Sequence, residues 1–309
     1  GTVVSSEFGT DTLINIDALI GGSGADTFSA TGIEFEGLGG NDTFTNVQRV
    51  RYDNSTAGVT VSLATGIAFD GFGGTDSLAG NGLDITGSAF NDIITGSDTN
   101  TSSENLRGGA GNDVINGGTQ GVGGLDQASY FEDPNGVIVN LSTGVGFDGY
   151  GDVDTLSNIE RLSGSQFSDN LTGDANNNEL QGNFGADFID GGAGSDTATF
   201  LFRNGEGVTA NLTTGRAIDG SGATDTLVSI ENLRGTSGND TLTGDSGVNT
   251  IDSGRGTDIV FASAGNDLLI GGFGGSSSSE FNQFDYSAGS TALTVNLGVS
   301  DAFGTATSA

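Results

Sequence analysis

Between Gly164 and Thr199 the sequence is four consecutive copies of one nine-residue unit: GSQFSDNLT, GDANNNELQ, GNFGADFID and GGAGSDTAT. Nothing else in the chain constrains the fold as strongly, because a repeat this short cannot bury an apolar face alone and must stack on its neighbours. The last copy fits G-G-x-G-x-D-x-U-x, with U a large apolar residue, everywhere except at U, where Ala198 is small. Glycines at the first, second and fourth positions admit backbone φ > 0 and leave carbonyl oxygens uncovered, as a hard cation held in a tight turn requires. The sixth-position Asp adds a carboxylate. The eighth position lies on a short strand of alternating side chains, which turns Leu171, Leu180 and Ile189 to one side, the expected core. With each unit as half a coil, turns two units apart stack on one edge, which places Asp169 near Asp187 with a cation between them.

The unit resembles the repeat of the RTX, or haemolysin-type calcium-binding, family. That resemblance implies an all-β chain built as an elongated right-handed parallel β-roll, a β-solenoid with multiple Ca2+ ions bound in its turns. Carried along the sequence, the sixth position marks Asp26 in GGSGADTFS, Asp42 in GLGGNDTFT, Asp92 in GSAFNDIIT, Asp113 in GGAGNDVIN and Asp126 after the longer GGTQGVGGL. It marks Asp169, Asp187 and Asp196 in the central run, and Asp240, Asp258 and Asp267 in GTSGNDTLT, SGRGTDIVF and ASAGNDLLI. Asn178 and Asn249 hold the same position with a neutral amide oxygen, which predicts weaker sites. By spacing, Asp240 pairs with Asp258 and Asn249 with Asp267.

The nonapeptides are interrupted in a regular way. GVTVSLATGIAFDG at Gly58, GVIVNLSTGVGFDG at Gly136, GVTANLTTGRAIDG at Gly207 and ALTVNLGVSDAFG at Ala292 alternate apolar residues and read as strands with one buried face. Rungs of the form D-T-L and N-I-E-x-L follow the strands, as at Asp154, Leu156 and Glu160. They keep the acid-x-apolar spacing while the glycines thin out. The expectation is one continuous array over 1–309 built from large repeats at about 1–52, 53–130, 131–202 and 203–287, with 288–309 a partial one. Asp76, Asp154 and Asp225 are read as solvated or capping turn residues, and Glu160 and Glu231 as outward-facing strand residues. The seven residues from Ala30 to Glu36 look like a shortened coil that breaks the ladder, and Ser97–Asn105 like an inserted loop. Near the end, the alternation turns Ile259, Phe261, Leu268 and Ile270 outward, a patch apolar enough to need cover from another subunit or from the following Phe281, Phe284 and Tyr286.

Charge bears on partners. Asp and Glu number 40 against 8 Lys and Arg, a formal charge of -32, which disfavours nucleic acid and anionic membrane surfaces. No apolar run reaches the ~18 residues of a membrane span, and Gly1 suggests a piece of something longer or a processed form. On the order of ten Ca2+ ions would cancel roughly twenty of the negative charges, so folding and calcium binding are expected to be one event. The absence of His and Cys removes the usual nucleophile-base pairs and zinc ligands, and the carboxylates sit in cation-ligand phase, so no enzyme activity is expected. The reading is a calcium-binding structural module of a secreted or cell-surface protein, of surface-layer, fibre or adhesin type, with self-association or neighbouring domains of a longer chain as partners. The alternative is an export and folding tail of a secreted enzyme or toxin. The family resemblance implies type I secretion machinery as a further partner. Ice binding is disfavoured because the outward residues, such as Asn170 and Thr172 beside Glu179 and Gln181, form no regular row.

Overall fold

The computed structural model describes residues 2–5, 9–80, 82–98, 103–119, 124–201, 205–271, 282–287, 293–296 and 305–308. Every regular element among them is a β-strand, most of three residues. That length follows from the nonapeptide: a turn rich in glycine and closed by the sixth-position Asp takes the first six positions and leaves three for a strand. Two compact units are present, Gly1–Asp133 with Gly144–Glu160, and Pro134–Thr143 with Arg161–Ala309.

In the second unit successive nonapeptides alternate between two parallel sheets. Strand Asn170–Thr172 pairs with Phe188–Asp190, aligning Leu171 with Ile189, while Glu179–Gln181 pairs with Thr197–Thr199, aligning Leu180 with Ala198. Each nonapeptide is therefore half a coil. One sheet continues through Asn232–Arg234, Thr250–Asp252 and Leu268–Ile270. The other runs through Thr224–Val228, Thr241–Thr243, Ile259–Phe261 and Gln283–Asp285. Leu171, Leu180, Ile189, Ala198, Leu242, Ile251 and Val260 are fully buried, a column of eighth-position residues. Alternation also leaves Phe188 38% exposed beside the buried Ile189.

The first unit repeats the arrangement. Ala18–Ile20, Glu34–Glu36, Arg49–Arg51, Asp84–Thr86, Asn105–Arg107 and Gln127–Ser129 form one parallel sheet. The second holds Thr27–Phe28, Thr43–Thr45, Ile93–Thr95, Val114–Asn116 and Val153–Ser157 among others. Phe28 stacks on Phe44 at 5.0 Å and meets Phe35 of the facing sheet at 5.1 Å, so the two sheets share one core. Ala30–Glu36 does not break the stack: its own last three residues, Glu34–Glu36, form a strand of the first sheet, and the turns at Asp26 and Asp42 remain bonded.

The plain strand rungs depart from a purely parallel roll. Thr60–Ser62 returns as Ile67–Phe69 and again as Thr75–Ala79, each step antiparallel. Thr209–Asn211, Arg216–Ile218 and Thr224–Val228 do the same in the second unit. The A-T-G and T-T-G turns make this reversal, with Gly66 and Gly215 at φ 69° and 64°, where a side chain would be strained. Leu293–Asn296 pairs antiparallel with Thr305–Ser308. The outward patch at Ile259–Ile270 is not the special surface that its sequence suggests. Phe69, Ile93 and Phe147 of the first unit are each about half exposed as well. Strand Gln283–Asp285 adds the next coil, with Phe284 in register with Val260, instead of folding over Phe261, and Phe281 lies outside the described residues.

Candidate metal centre

The sixth-position residues form ladders along the turn edges. In each, the backbone N–H of one sixth-position residue donates to a side-chain oxygen of the residue in the same position on the next coil, at 2.7–3.1 Å. In the first unit the series are Asp26–Asp42–Asp76, Asp92–Asp113–Asp154 and Glu104–Asp126–Glu160. In the second they are Asp169–Asp187–Asp225, Asn178–Asp196–Glu231, Asp240–Asp258–Asn282 and Asn249–Asp267. All thirteen predicted ligand residues stand in these ladders. Eleven are buried, and Asp26 and Asp267 are partly exposed.

The end members correct the sequence reading. Asp76, Asp154 and Asp225 do cap turns, but they are 1–2% exposed and not solvated. Glu160 and Glu231 do not point outward; their Oε2 atoms accept the N–H groups of Asp126 and Asp196. Glu104 lies in the stretch Ser97–Asn105 expected to be an inserted loop, yet it holds the ladder position ahead of the fully buried Leu106. The readable signal was Glu-x-Leu, the Asp-x-apolar spacing with a longer acid, at Glu104, Glu160 and Glu231.

Two kinds of turn alternate. In the lower turn of each pair, the second-position N–H closes on the sixth-position oxygen, as Gly22 does on Asp26, Asp174 on Asn178 and Asp245 on Asn249. Ser88, Ser165 and Thr236 add a hydroxyl bond to Asp92, Asp169 and Asp240 at 2.7–2.8 Å. Those three carboxylates also accept the N–H of Val59, Val137 and Val208 from the strand rungs. In the upper turns the second residue adopts φ > 0, with Leu38 at 64° and Asn183 at 73°, which swings its N–H away. The Oδ2 atoms of Asp42, Asp113, Asp187 and Asp196 are consequently buried with no hydrogen-bond partner among the described residues.

An unpaired carboxylate oxygen out of water is costly, and the cost appears in the proton affinities of the protein without metal. Burial, reinforced by the charges of neighbouring carboxylates, pushes Asp113 and Asp187 up to about 8. Burial likewise raises Asp154 and Asp225 to about 7, and Asp76, Asp126, Asp169, Asp196 and Asp240 to about 6. Backbone N–H groups oppose the shift in each case without cancelling it.

Oxygens also converge where first-position glycines leave room. A Cβ on Gly87 would lie 2.3 Å from Asp92 Oδ2 and 2.4 Å from the Gly108 carbonyl of the next turn. At Gly173 the same point is 2.5 Å from Asn178 Oδ1 and 2.2 Å from the Gly191 carbonyl. Among the described residues no three acidic side chains gather at one point. A cation here would draw on one carboxylate or amide from each turn plus backbone carbonyls. An all-oxygen set of that kind, with buried oxygens lacking donors, fits Ca2+. The RTX calcium-binding nonapeptide repeat is matched four times, at residues 98–120, 163–198, 229–260 and 252–275. Those spans hold nine of the predicted ligand residues, while Asp26, Asp42, Asp92 and Asp126 lie outside them. Comparison with curated proteins gives no match.

Proposed function

Because the chain carries four RTX calcium-binding nonapeptide repeats, we propose that it is a calcium-dependent structural module of a secreted or cell-surface protein, of the surface-layer, fibre or adhesin kind. The observation that carries this reading is the set of buried acidic ladders in both units, whose unpaired oxygens make the metal-free fold electrostatically poor. Calcium between the turns neutralises the like charges and ties successive coils together, so binding and folding are one equilibrium. Proteins bearing such repeats are generally secreted, and calcium outside the cell is plentiful enough to drive that equilibrium. The role supported here is mechanical: a stack of short strands set by the ion.

Circular dichroism of the decalcified chain, followed by calcium addition, tests the coupling. At pH 8 the β signal should be weak without calcium and return with it. Sedimentation in calcium over a wide concentration range tests the assembly role. Concentration-dependent association supports a subunit of a surface structure, and a monomer throughout removes that part of the reading.

A further inference from the structure

Three of the large repeats carry a loop of sequence D-G-[FYS]-G between the plain strand rung and the D-[ST]-L rung, beginning at Asp70, Asp148 and Asp219. These residues stand six positions ahead of the ladder Asp and outside the nonapeptide phase. Asp70 is fully buried, and its Oδ1 accepts three successive backbone N–H groups, from Phe72, Gly73 and Gly74, at 2.8–2.9 Å. Asp148 does the same with Tyr150, Gly151 and Asp152 at 2.7–3.1 Å. Both Oδ2 atoms are buried and have no hydrogen-bond partner among the described residues.

The ladder Asp in these loops is not available. Asp76 and Asp154 accept the N–H of Asp42 and Asp113 at Oδ1, and the hydroxyls of Tyr52 and Tyr130 at Oδ2 at 3.2 and 3.0 Å. The free acceptor in the loop is Asp70 or Asp148. Its direction is visible at Gly74, where a Cβ would lie 2.4 Å from Asp70 Oδ2 and 1.7 Å from the Gly40 carbonyl oxygen. Two oxygens therefore crowd the position a side chain at residue 74 would take, which puts the Gly40 carbonyl and Asp70 Oδ2 within about 4 Å of each other. Gly40 belongs to the turn of Asp42, whose own Oδ2 is unpartnered, and the loop at Asp148 stacks on the turn of the equally unpartnered Asp113.

We propose a second class of divalent-cation site, held between a nonapeptide turn and the D-G-x-G loop stacked on it. Asp70 with the Gly40 carbonyl and Asp42 makes one site, and Asp148 with Asp113 makes the other. The donors are all oxygen and two are carboxylates, which selects calcium over softer metals. The third loop is a built-in control. Ser221 Oγ lies 2.7 Å from Asp219 Oδ1 and 2.9 Å from Asp219 Oδ2, so its one hydroxyl proton is shared across a carboxylate that has no such donor in the other two loops, and this loop is expected to hold no ion.

The proposal rests on the reading that the turns bind calcium, and the experiment separates the two. Bound calcium is counted on the full chain by equilibrium dialysis with elemental analysis, with circular dichroism confirming the fold. Asp70→Asn and Asp148→Asn should each lose one ion, and Asp219→Asn none. Phe72→Ser and Tyr150→Ser copy the closing hydroxyl of the third loop; both positions are 40–49% exposed, so the fold should tolerate them, and each should also lose one ion. Terbium gives an independent readout, because the chain has no Trp and Tyr150 lies two residues from Asp148. Asp148→Asn should remove part of the tyrosine-sensitised emission, whereas Tyr150→Phe should dim it without changing the ion count. A wild-type chain that binds no calcium overturns the general reading. Binding that stays at the wild-type count in the folded Asp70→Asn, Asp148→Asn, Phe72→Ser and Tyr150→Ser variants overturns this site alone.

Discussion

Acidification should stabilise the calcium-free fold, the reverse of the usual acid denaturation. The perturbation is a change from pH 8 to pH 5 in protein decalcified by dialysis, since common chelators lose their grip in acid. Burial holds Asp187 and Asp113 up at about 8 in the metal-free fold, while an unfolded chain would release those protons near 3.8. A group raised on folding keeps its stabilising contribution below the unfolded value and loses it as pH climbs through the folded one. Each pH unit in that window is worth about 1.4 kcal/mol, so Asp187 alone accounts for on the order of 5 kcal/mol between pH 4 and pH 8. That is comparable with the whole net stability of a domain. Asp154 and Asp225 at about 7 extend the effect, though neighbours in one ladder share their charge and do not add independently. Surface carboxylates would titrate near 4, below the window, which separates this effect from relief of the net charge. Urea titrations followed by circular dichroism at half-unit steps should show stability falling from pH 5 to pH 8 without calcium. Asp187→Asn should flatten the slope. Calcium-free stability that is level, or that rises with pH over that range, refutes the buried-carboxylate account.

Three further outcomes follow from the geometry. Ile189→Asp should disrupt its coil, because a carboxylate in that fully buried column costs several kcal/mol, whereas Phe188→Asp on the outward side should cost under about 0.5 kcal/mol; equal losses of Tm in excess calcium would mean the strand phase is wrong. Ser165→Ala removes the hydroxyl bond to Asp169 and should lower stability by about 1 kcal/mol in urea titrations, with the calcium count unchanged. Leu180→Ala, in the middle of the second unit's column, should cost roughly 2–5 kcal/mol in the same titrations, and a loss below 1 would show that the column is not the core.

What the sequence made legible was everything with a fixed period. The Asp-x-apolar spacing places the sixth-position residues of the nonapeptides and the apolar residues two positions on by local geometry alone, and so Asp169 meets Asp187, and Leu171 meets Ile189, with nothing needed beyond nine-residue counting. What escaped depends on a partner brought in by the fold. Glu160 and Glu231 look like outward strand residues until the coil beneath presents the N–H of Asp126 or Asp196. Asp70 recurs only with the large repeat, as Asp148 and Asp219, and not in the nine-residue count, and it matters because a hairpin lays it beside the Gly40 carbonyl, 30 residues earlier.

The hairpins explain why the array is interrupted at all. An unbroken run of nonapeptides would leave an unpaired carboxylate facing the next turn on every coil, and repulsion would accumulate along the stack. Here the ladders of three members end on an acid or amide supplied by a different kind of rung: Asp76, Asp154 and Asp225 on one edge, Glu160 and Glu231 on the other, Asn282 at the last. Three of them begin on a carboxylate closed by Ser88, Ser165 or Thr236 against a valine N–H. The unpaired oxygens fall on the middle members, Asp42, Asp113, Asp187 and Asp196. The large repeat is thus the length over which an acidic ladder is opened and closed again, with its unpaired oxygens between. In these four ladders the unpaired oxygens are thereby confined to the centre, while the ladder ends are held by the protein's own donors.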